Sequence, residues 1–358
     1  MMRASENDVS DSGRLSPNSK HRMTLGRGKA ALTVGAYEVV TQNIVIVGKK
    51  ATGKSCLGHI LTEEMLSLNR QSQSTLEGVS AAIFAPSDGW SGLRAGRSGS
   101  ARGGYRVLTI GGEHAEFPLD PRMGARIADL VDAVRPVAVL IEMGELTVAE
   151  QQELVADFAE RLAMSQACRH LHLVFDEAED FFPTSPVKGP QLRAARALDA
   201  LVRKRRARGI AVTMVTSRLA NLHRNATSQT GRFFLFGMSS PQDLDAADEL
   251  VRYGQPGGKN LLSAQVARLA PGEAIHVTYG EKPGQVRFRV RRLRTYDSHK
   301  FAPIGVAEKK PVKLATITAK TRKIAMAVLF PSSPRVGTIV ATSAEPAKSS
   351  EIIIPGQP

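Results

Sequence analysis

Residues 43–61 read NIVIVGKKATGKSCLGHIL, and the reading of this stretch decides the fold class. An apolar run from Ile44 to Val47 breaks at Gly48, and a helical pattern begins after Gly53. Between them the residues follow G-x-x-x-x-G-K-S: Gly48, Lys49, Lys50, Ala51, Thr52, Gly53, Lys54 and Ser55, with Cys56 next. A loop that wraps a phosphate chain turns its backbone N–H groups inward, so glycine is needed where a Cβ would collide. The helix that follows offers its free N–H groups and its dipole to the anion. In such a loop the Lys54 ammonium reaches the β- and γ-phosphates, and the Ser55 hydroxyl ligates Mg²⁺. The expected nucleotide-binding stretch therefore runs from Gly48 through Cys56.

A phosphate loop needs a partner acid, and the run HLHLVFDEAEDFFP, residues 170–183, supplies two. Leu171, Leu173, Val174 and Phe175 read as a buried strand, from whose C-terminal end Asp176 and Glu177 emerge. Ligands of parallel α/β sheets sit beyond the carboxyl ends of the strands, so both acids are expected beside the loop. Asp176 is expected to hold Mg²⁺ through water, and Glu177 to polarise the attacking water as general base. A small-molecule kinase fits less well, because this second acid prepares water rather than a substrate hydroxyl.

Working outward, strand-like runs alternate with helical stretches. The strands are NIVIV, SAAIFAP, YRVLTIG, VAVLIEM, HLHLVF, IAVTMVT and RFFLFGM; the helices span 54–68, 124–134, 148–164, 192–206 and 241–251. Continuous apolar strands alternating with helices indicate an α/β fold, a mostly parallel sheet covered by helices on both faces. A final pair, EAIHVTYG and QVRFRVRRLR, alternates openly and reads as a C-terminal edge hairpin. Its second strand is expected to put Arg287, Arg289 and Arg291 on one face, either as solvated edge charge or as a DNA contact. Residues 1–31 read as a disordered basic arm, 32–300 as the ATPase domain, and 301–358 as a mostly irregular tail with one short helix near 320–329.

The chain has 358 residues, 48 Lys and Arg against 34 Asp and Glu, and a formal charge of +14. That balance suggests a polyanionic partner, with nucleic acid first and a merely arginine-rich composition as the alternative. No apolar run approaches the ~20 residues a membrane helix needs, and the N-terminus lacks the apolar centre of a secretory signal. Two cysteines, Cys56 and Cys168, fit a reducing compartment, so the cytoplasm is the expected location.

Together these segments resemble the HerA/FtsK superfamily of ring-forming P-loop ATPases, in its HerA-like DNA-translocase branch. The resemblance spans roughly residues 32–300. It rests on VVTQNIVIVGKKATGKS, APSDGWSGLR, LTIGGEHAEFPL, VLIEMGELTVAEQQELVADFAERL, LVFDEAEDFFP, VRKRRARGIAVTMVTSRLANLH, SSPQDLDAADEL and LAPGEAIHV, in that order. It implies a RecA-like fold, a homo-hexameric ring, ATP and Mg²⁺ as cofactors, ATP hydrolysis, and passage of double-stranded DNA through the pore. It also implies a polar sensor of the γ-phosphate at the end of the strand after the acid strand. There the family commonly has Gln, Arg and Pro, and this chain has Ser217, Arg218 and Leu219. Many members carry an arginine in the next strand where this chain has Gly237, which leaves Arg206, in RRARGI, as the candidate for acting on a neighbouring subunit's nucleotide. The alternative for Arg206 is a solvated helix end. The barrel module that precedes the core in the family is not expected here. Three functions follow: a DNA motor, an ATP-binding regulator or scaffold of slow turnover, and a secretion-type motor acting on protein; an unidentified protein partner is a further expectation.

Overall fold

The computed structural model describes residues 21–28, 31–71, 78–87, 89–165, 170–204, 209–254, 262–278, 284–298 and 312–331. In chain order, β1 (Arg22–Thr24), β2 (Gly26–Arg27), β3 (Thr33–Gly35) and α1 (Ala36–Thr41) lead into β4 (Asn43–Val47) and α2 (Lys54–Gln71). Next come β5 (Ser80–Ala85), β6 (Leu108–Ile110), α3 (Gly124–Ala133), β7 (Ala138–Glu142), α4 (Val148–Met164), β8 (Leu171–Phe175) and α5 (Pro190–Lys204). The chain continues through β9 (Ile210–Thr216), α6 (Arg224–Ser228), β10 (Thr230–Leu235), α7 (Pro241–Gly254), α8 (Leu262–Val266), β11 (Glu273–Thr278), β12 (Gly284–Val290) and α9 (Ala319–Leu329).

One ten-stranded sheet carries the fold, in the order β2-β12-β11-β10-β4-β9-β8-β5-β7-β6. From β10 to β6 every pairing is parallel, and from β10 outward to β2 every pairing is antiparallel. This is the expected α/β architecture: a mostly parallel sheet with a C-terminal hairpin towards one edge. The reason is visible along β4, all of whose residues are buried. Ile44 and Ile46 face one cluster with Leu57, Ile60 and Leu61 of α2, whereas Val45 and Val47 face the other, with Phe158 of α4 and Leu198 of α5. A strand buried on both faces has no polar side to show, so its sequence reads as one apolar run.

Three expectations change at the edges. Strands β1 and β2 fall within the stretch read as a disordered arm. There the chain pairs with β3 and, through Arg27 and Gly26, with Arg289 and Val290 of β12. The hairpin is accordingly not the last element of the sheet, because β2 lies outside it. Arg291 leaves the face of Arg287 and Arg289. It turns inward to Glu63 and Glu64 of α2, 2.9 Å from each, and donates to the Thr24 carbonyl at 2.8 Å. Glu63 is fully buried and also accepts from the backbone N–H groups of Arg294 and Thr295. The segment after β12 is thus stapled to the helix that follows the phosphate loop, and removing one partner of such a buried pair typically costs about 3–5 kcal/mol. In the tail, α9 forms where a short helix was expected and packs on α3, with Arg126 donating to the Leu329 carbonyl.

Two buried histidines tie the sheet together in their neutral form. His172 on β8 bonds the Thr213 hydroxyl of β9 at 2.6 Å and the Val40 carbonyl at 3.2 Å. Burial lowers its pKa from 6.5 to about 4. His276 stacks on Phe234 at 4.6 Å, and burial, followed by the adjacent Arg232 charge, lowers its pKa to about 3. A depressed histidine contributes stability that is fully present above pH 6.5 and is lost as the pH falls towards the folded pKa, because only the unfolded chain takes up the proton. For His172 the loss is expected to reach about 3 kcal/mol between pH 6.5 and 4. Urea unfolding at pH 7 and pH 5 checks this: His172→Gln is expected to show a smaller difference between the two pH values than the parent chain, and an equal difference would remove His172 from the account.

Candidate functional site

Four neighbouring parallel strands, β10, β4, β9 and β8, end on the same side of the sheet, and the chemistry-bearing residues gather there. The loop after β4 is hung from both flanking strands. The Gly48 N–H donates to the Thr216 carbonyl at the end of β9 (3.3 Å), and the Lys49 N–H donates to the Gly237 carbonyl just past β10 (3.0 Å). Thr52 closes the loop internally, its hydroxyl donating to the Lys49 carbonyl at 2.7 Å, and its own carbonyl accepts from the Gly272 N–H at 2.8 Å. A Cβ on Gly48 would lie 2.5 Å from the Phe236 Cβ and 2.8 Å from the Thr52 hydroxyl, so only glycine fits. Gly53 holds φ +110°, and Ala51 takes the left-handed region at φ 63°, a conformation L-residues rarely adopt outside tight functional turns. Helix α2 then starts at Lys54.

The acids arrive from β8. Asp176 is buried, and its carboxylate is fixed on both oxygens: Oδ1 accepts the Glu177 N–H at 3.2 Å, and Oδ2 accepts the indole N–H of Trp90 at 2.9 Å. Among the described residues, each oxygen accepts this one hydrogen bond and keeps a lone pair. Glu177 adopts a left-handed conformation, φ 48° and ψ 51°. Its carboxylate comes within 3.8 Å of the Lys54 ammonium, which is almost fully buried. Burial raises the Glu177 pKa above the ordinary range; the Lys54 charge opposes this, and Glu179, Asp176 and Asp180 add to it. Burial and the Glu179 charge likewise raise Asp180. The arrangement therefore offers a backbone loop that requires glycine at position 48, one buried cation, one buried and oriented carboxylate, and one carboxylate whose proton affinity is raised.

The structure brings Gly48 to Cys56, Asp176, Glu177 and Ser217 to one end of the sheet. Lys49, Lys50 and Ala51 are exposed on the loop, and Ser55 and Cys56 are half-buried. Burial and the charges of Asp297 and Glu63 push the Cys56 thiol up to about 11, which keeps it protonated and limits its part to its backbone. Ser217 does not stand free as an isolated sensor: its hydroxyl donates to Glu179 Oε1 at 2.7 Å and its N–H to the same oxygen at 3.2 Å. Arg218 is exposed and paired with Asp243 at 3.1 Å. Arg206 and Cys168 lie outside the described residues. Reading the sequence missed two members of the site. Glu179 carried a signal, since it belongs to the acid run DEAED. Trp90, the one tryptophan of the chain, lies in APSDGWSGLR, a segment quoted for the resemblance without a role for this residue: it reaches Asp176 because β5 pairs with β8, with Phe84 opposite Phe175. Gly58 on α2 leaves room for its ring, since a Cβ there would lie 3.3 Å from both the indole and Val215.

No protein-family model matches the chain, and no curated protein sequence matches it. Among solved structures it is similar to VirB4 of Thermoanaerobacter pseudethanolicus, with TM-score 0.47 and 12% identity over 77% of this chain and 98% of that one. It is also similar to the genome packaging NTPase B204 from Sulfolobus turreted icosahedral virus 2 in complex with AMPPCP, with TM-score 0.43 and 14% identity over 68% and 96%. A third is the cytoplasmic domain of the Thermomonospora curvata Type VII secretion ATPase EccC, with TM-score 0.43 and 12% identity over 76% of this chain and 26% of that one. The fold class of this chain rests on the strand order and loop geometry described above.

Proposed function

We propose that this chain binds Mg-ATP at the carboxyl ends of β4, β8 and β9, hydrolyses it, and uses the energy to move double-stranded DNA. The observation that carries the nucleotide reading is the convergence of the buried Lys54 ammonium and the Glu177 carboxylate beside a loop in which a Cβ at Gly48 would collide with Phe236 and Thr52. The residues fit the ligands. Backbone N–H groups of the loop and the start of α2 suit the phosphate chain. The Ser55 hydroxyl and the free lone pairs of Asp176 suit Mg²⁺, which takes few protein ligands and completes its shell with water and phosphate oxygens. Bound there, the ion would neutralise charge developing on the β- and γ-phosphates.

The chain's own residues do the rest. Lys54 leaves its partner Glu177 for the phosphates, forming charge-assisted hydrogen bonds. That transfer frees Glu177 and removes the cation that held its proton affinity down. Glu177 then accepts a proton from the attacking water as the water oxygen bonds to the γ-phosphorus. Trp90 holds Asp176 in one rotamer throughout.

The formal charge of +14 supports DNA as the partner, together with the exposed arginines Arg289, Arg292 and Arg294 near the sheet edge. A homo-hexameric ring is the assembly that would place such charge around a duplex. A secretion-type motor for protein has no comparable observation in its favour.

Three outcomes are expected. Lys54→Ala loses one charge-assisted phosphate contact, so ATP affinity should drop by roughly tenfold to a hundredfold; affinity at the parent level in an equilibrium titration would refute the phosphate-loop assignment. Glu177→Gln keeps shape and loses basicity, so ATP should still bind while turnover falls by about 10²–10⁴; parent-level phosphate release in this variant would take Glu177 out of the reaction. Duplex DNA should bind without sequence preference, with an affinity that falls steeply between about 50 and 200 mM salt. Absence of binding at the lower salt with ATP present would sink the DNA motor and leave the ATP-binding regulator.

A further inference from the structure

The Ser217–Glu179 pair has no place in the reaction as derived so far, yet it joins the sensor position to the acid turn. Two donors of Ser217, hydroxyl and N–H, converge on a single carboxylate oxygen, Oε1 of Glu179. The other oxygen, Oε2, is buried and has no hydrogen-bond partner among the described residues. An unmet buried carboxylate oxygen is costly, and such groups mark places where a ligand or water completes the shell. Glu179 lies two residues beyond Glu177 in the same turn, close enough for its charge to act on both Glu177 and Asp180.

The missing partner must be a hydrogen-bond donor, because an ionised carboxylate only accepts. The γ-phosphate, itself an acceptor, is excluded. A water beside Glu177 has two hydrogens to place and only one base to take them. We propose that Glu179, clamped by Ser217, orients the attacking water: Oε2 of Glu179 accepts one water hydrogen bond while Glu177 takes the other hydrogen as a proton. The water oxygen bonds to the γ-phosphorus, the bond to the β–γ bridging oxygen breaks with its electron pair leaving on ADP, and the proton goes to Glu177. Glu179 gains and loses nothing. This inference rests on the ATPase reading and adds a second water ligand to it.

Steady-state hydrolysis of ATP by the full chain tests it, using Glu179→Gln, Ser217→Ala, Ser217→Thr and the double variant Glu179→Gln/Ser217→Ala. In Glu179→Gln the serine keeps the amide oxygen, so an N–H₂ donor replaces the acceptor that the water needs. Turnover is expected to fall at least ~10-fold with KM for ATP within about threefold of the parent, since the contact is made to the reacting water and not to the nucleotide. Ser217→Ala should fall similarly, Ser217→Thr should retain most turnover, and the double variant should be no slower than the slower single, because the pair acts as one unit. A merely structural pair would lower the thermal midpoint without splitting kcat from KM. Turnover in Glu179→Gln within about twofold of the parent, or multiplicative losses in the double variant, would overturn the inference. If Glu179→Gln does not fold, Ser217→Ala, which deletes only a hydroxyl, carries the same decision. Glu177→Gln separates the two levels: a parent chain no faster than Glu177→Gln would defeat the ATPase reading and the inference with it, whereas an active parent with equally active Glu179 variants would defeat the inference alone.

Discussion

The suspension of the phosphate loop between two flanking strands is the constraint on which the rest depends. Gly48 bonds to the end of β9 and Lys49 to the backbone beyond β10, so the loop takes its shape only if β4 lies between those two strands. That strand order requires crossover connections on both sides of β4, and hence helices on both faces. The helices require apolar side chains pointing both ways from every central strand. The crowding of Phe236 against Gly48 leaves no room for a side chain at position 48 and holds the backbone there in place. Architecture and site are one geometric problem with one solution.

The same order explains how the acids come to face the loop. β8 is separated from β4 by β9, so Asp176 and Glu177 stand across one strand's width from the loop, with the end of β9 between them. Ser217 occupies that gap. Its hydrogen bonds to Glu179 draw the acid turn against the end of β9. On the other side, β5 holds Phe84 beside Phe175, and the chain beyond it brings the Trp90 indole to Asp176. The buried carboxylate is thus oriented from two directions before any ligand arrives, which is the preorganisation that electrostatic catalysis needs.

Much of this was legible in the residues, for definite reasons. NIVIV, HLHLVF and IAVTMVT could be recognised as central strands because burial on both faces removes polar positions from the run. Lys54 marked a helix start because the phosphate-loop pattern demands one. The two- and three-residue strands β1 and β2 are too short to show any period, so a polar stretch there read as disorder. Arg291 looked like a partner of Arg287 and Arg289 because strand alternation was extended one residue beyond the end of β12; there the chain turns, and the buried carboxylates of α2 draw the guanidinium inward. Trp90 was invisible because its role depends on strand neighbours that lie far apart in the chain. Glu179 was visible as a charge, and only its bond to Ser217 separates it from an ordinary acidic turn.

The central claim is that the end of the sheet around Gly48, Lys54 and Asp176 is a Mg-ATP site. Equilibrium calorimetry of the folded chain with ATP in excess Mg²⁺ tests it most directly, with Trp90 emission recorded in parallel as a reporter beside Asp176. Saturable binding at one nucleotide per chain is expected, with affinity that weakens when Mg²⁺ is chelated. Heat that never saturates, in a chain that remains folded, would contradict it.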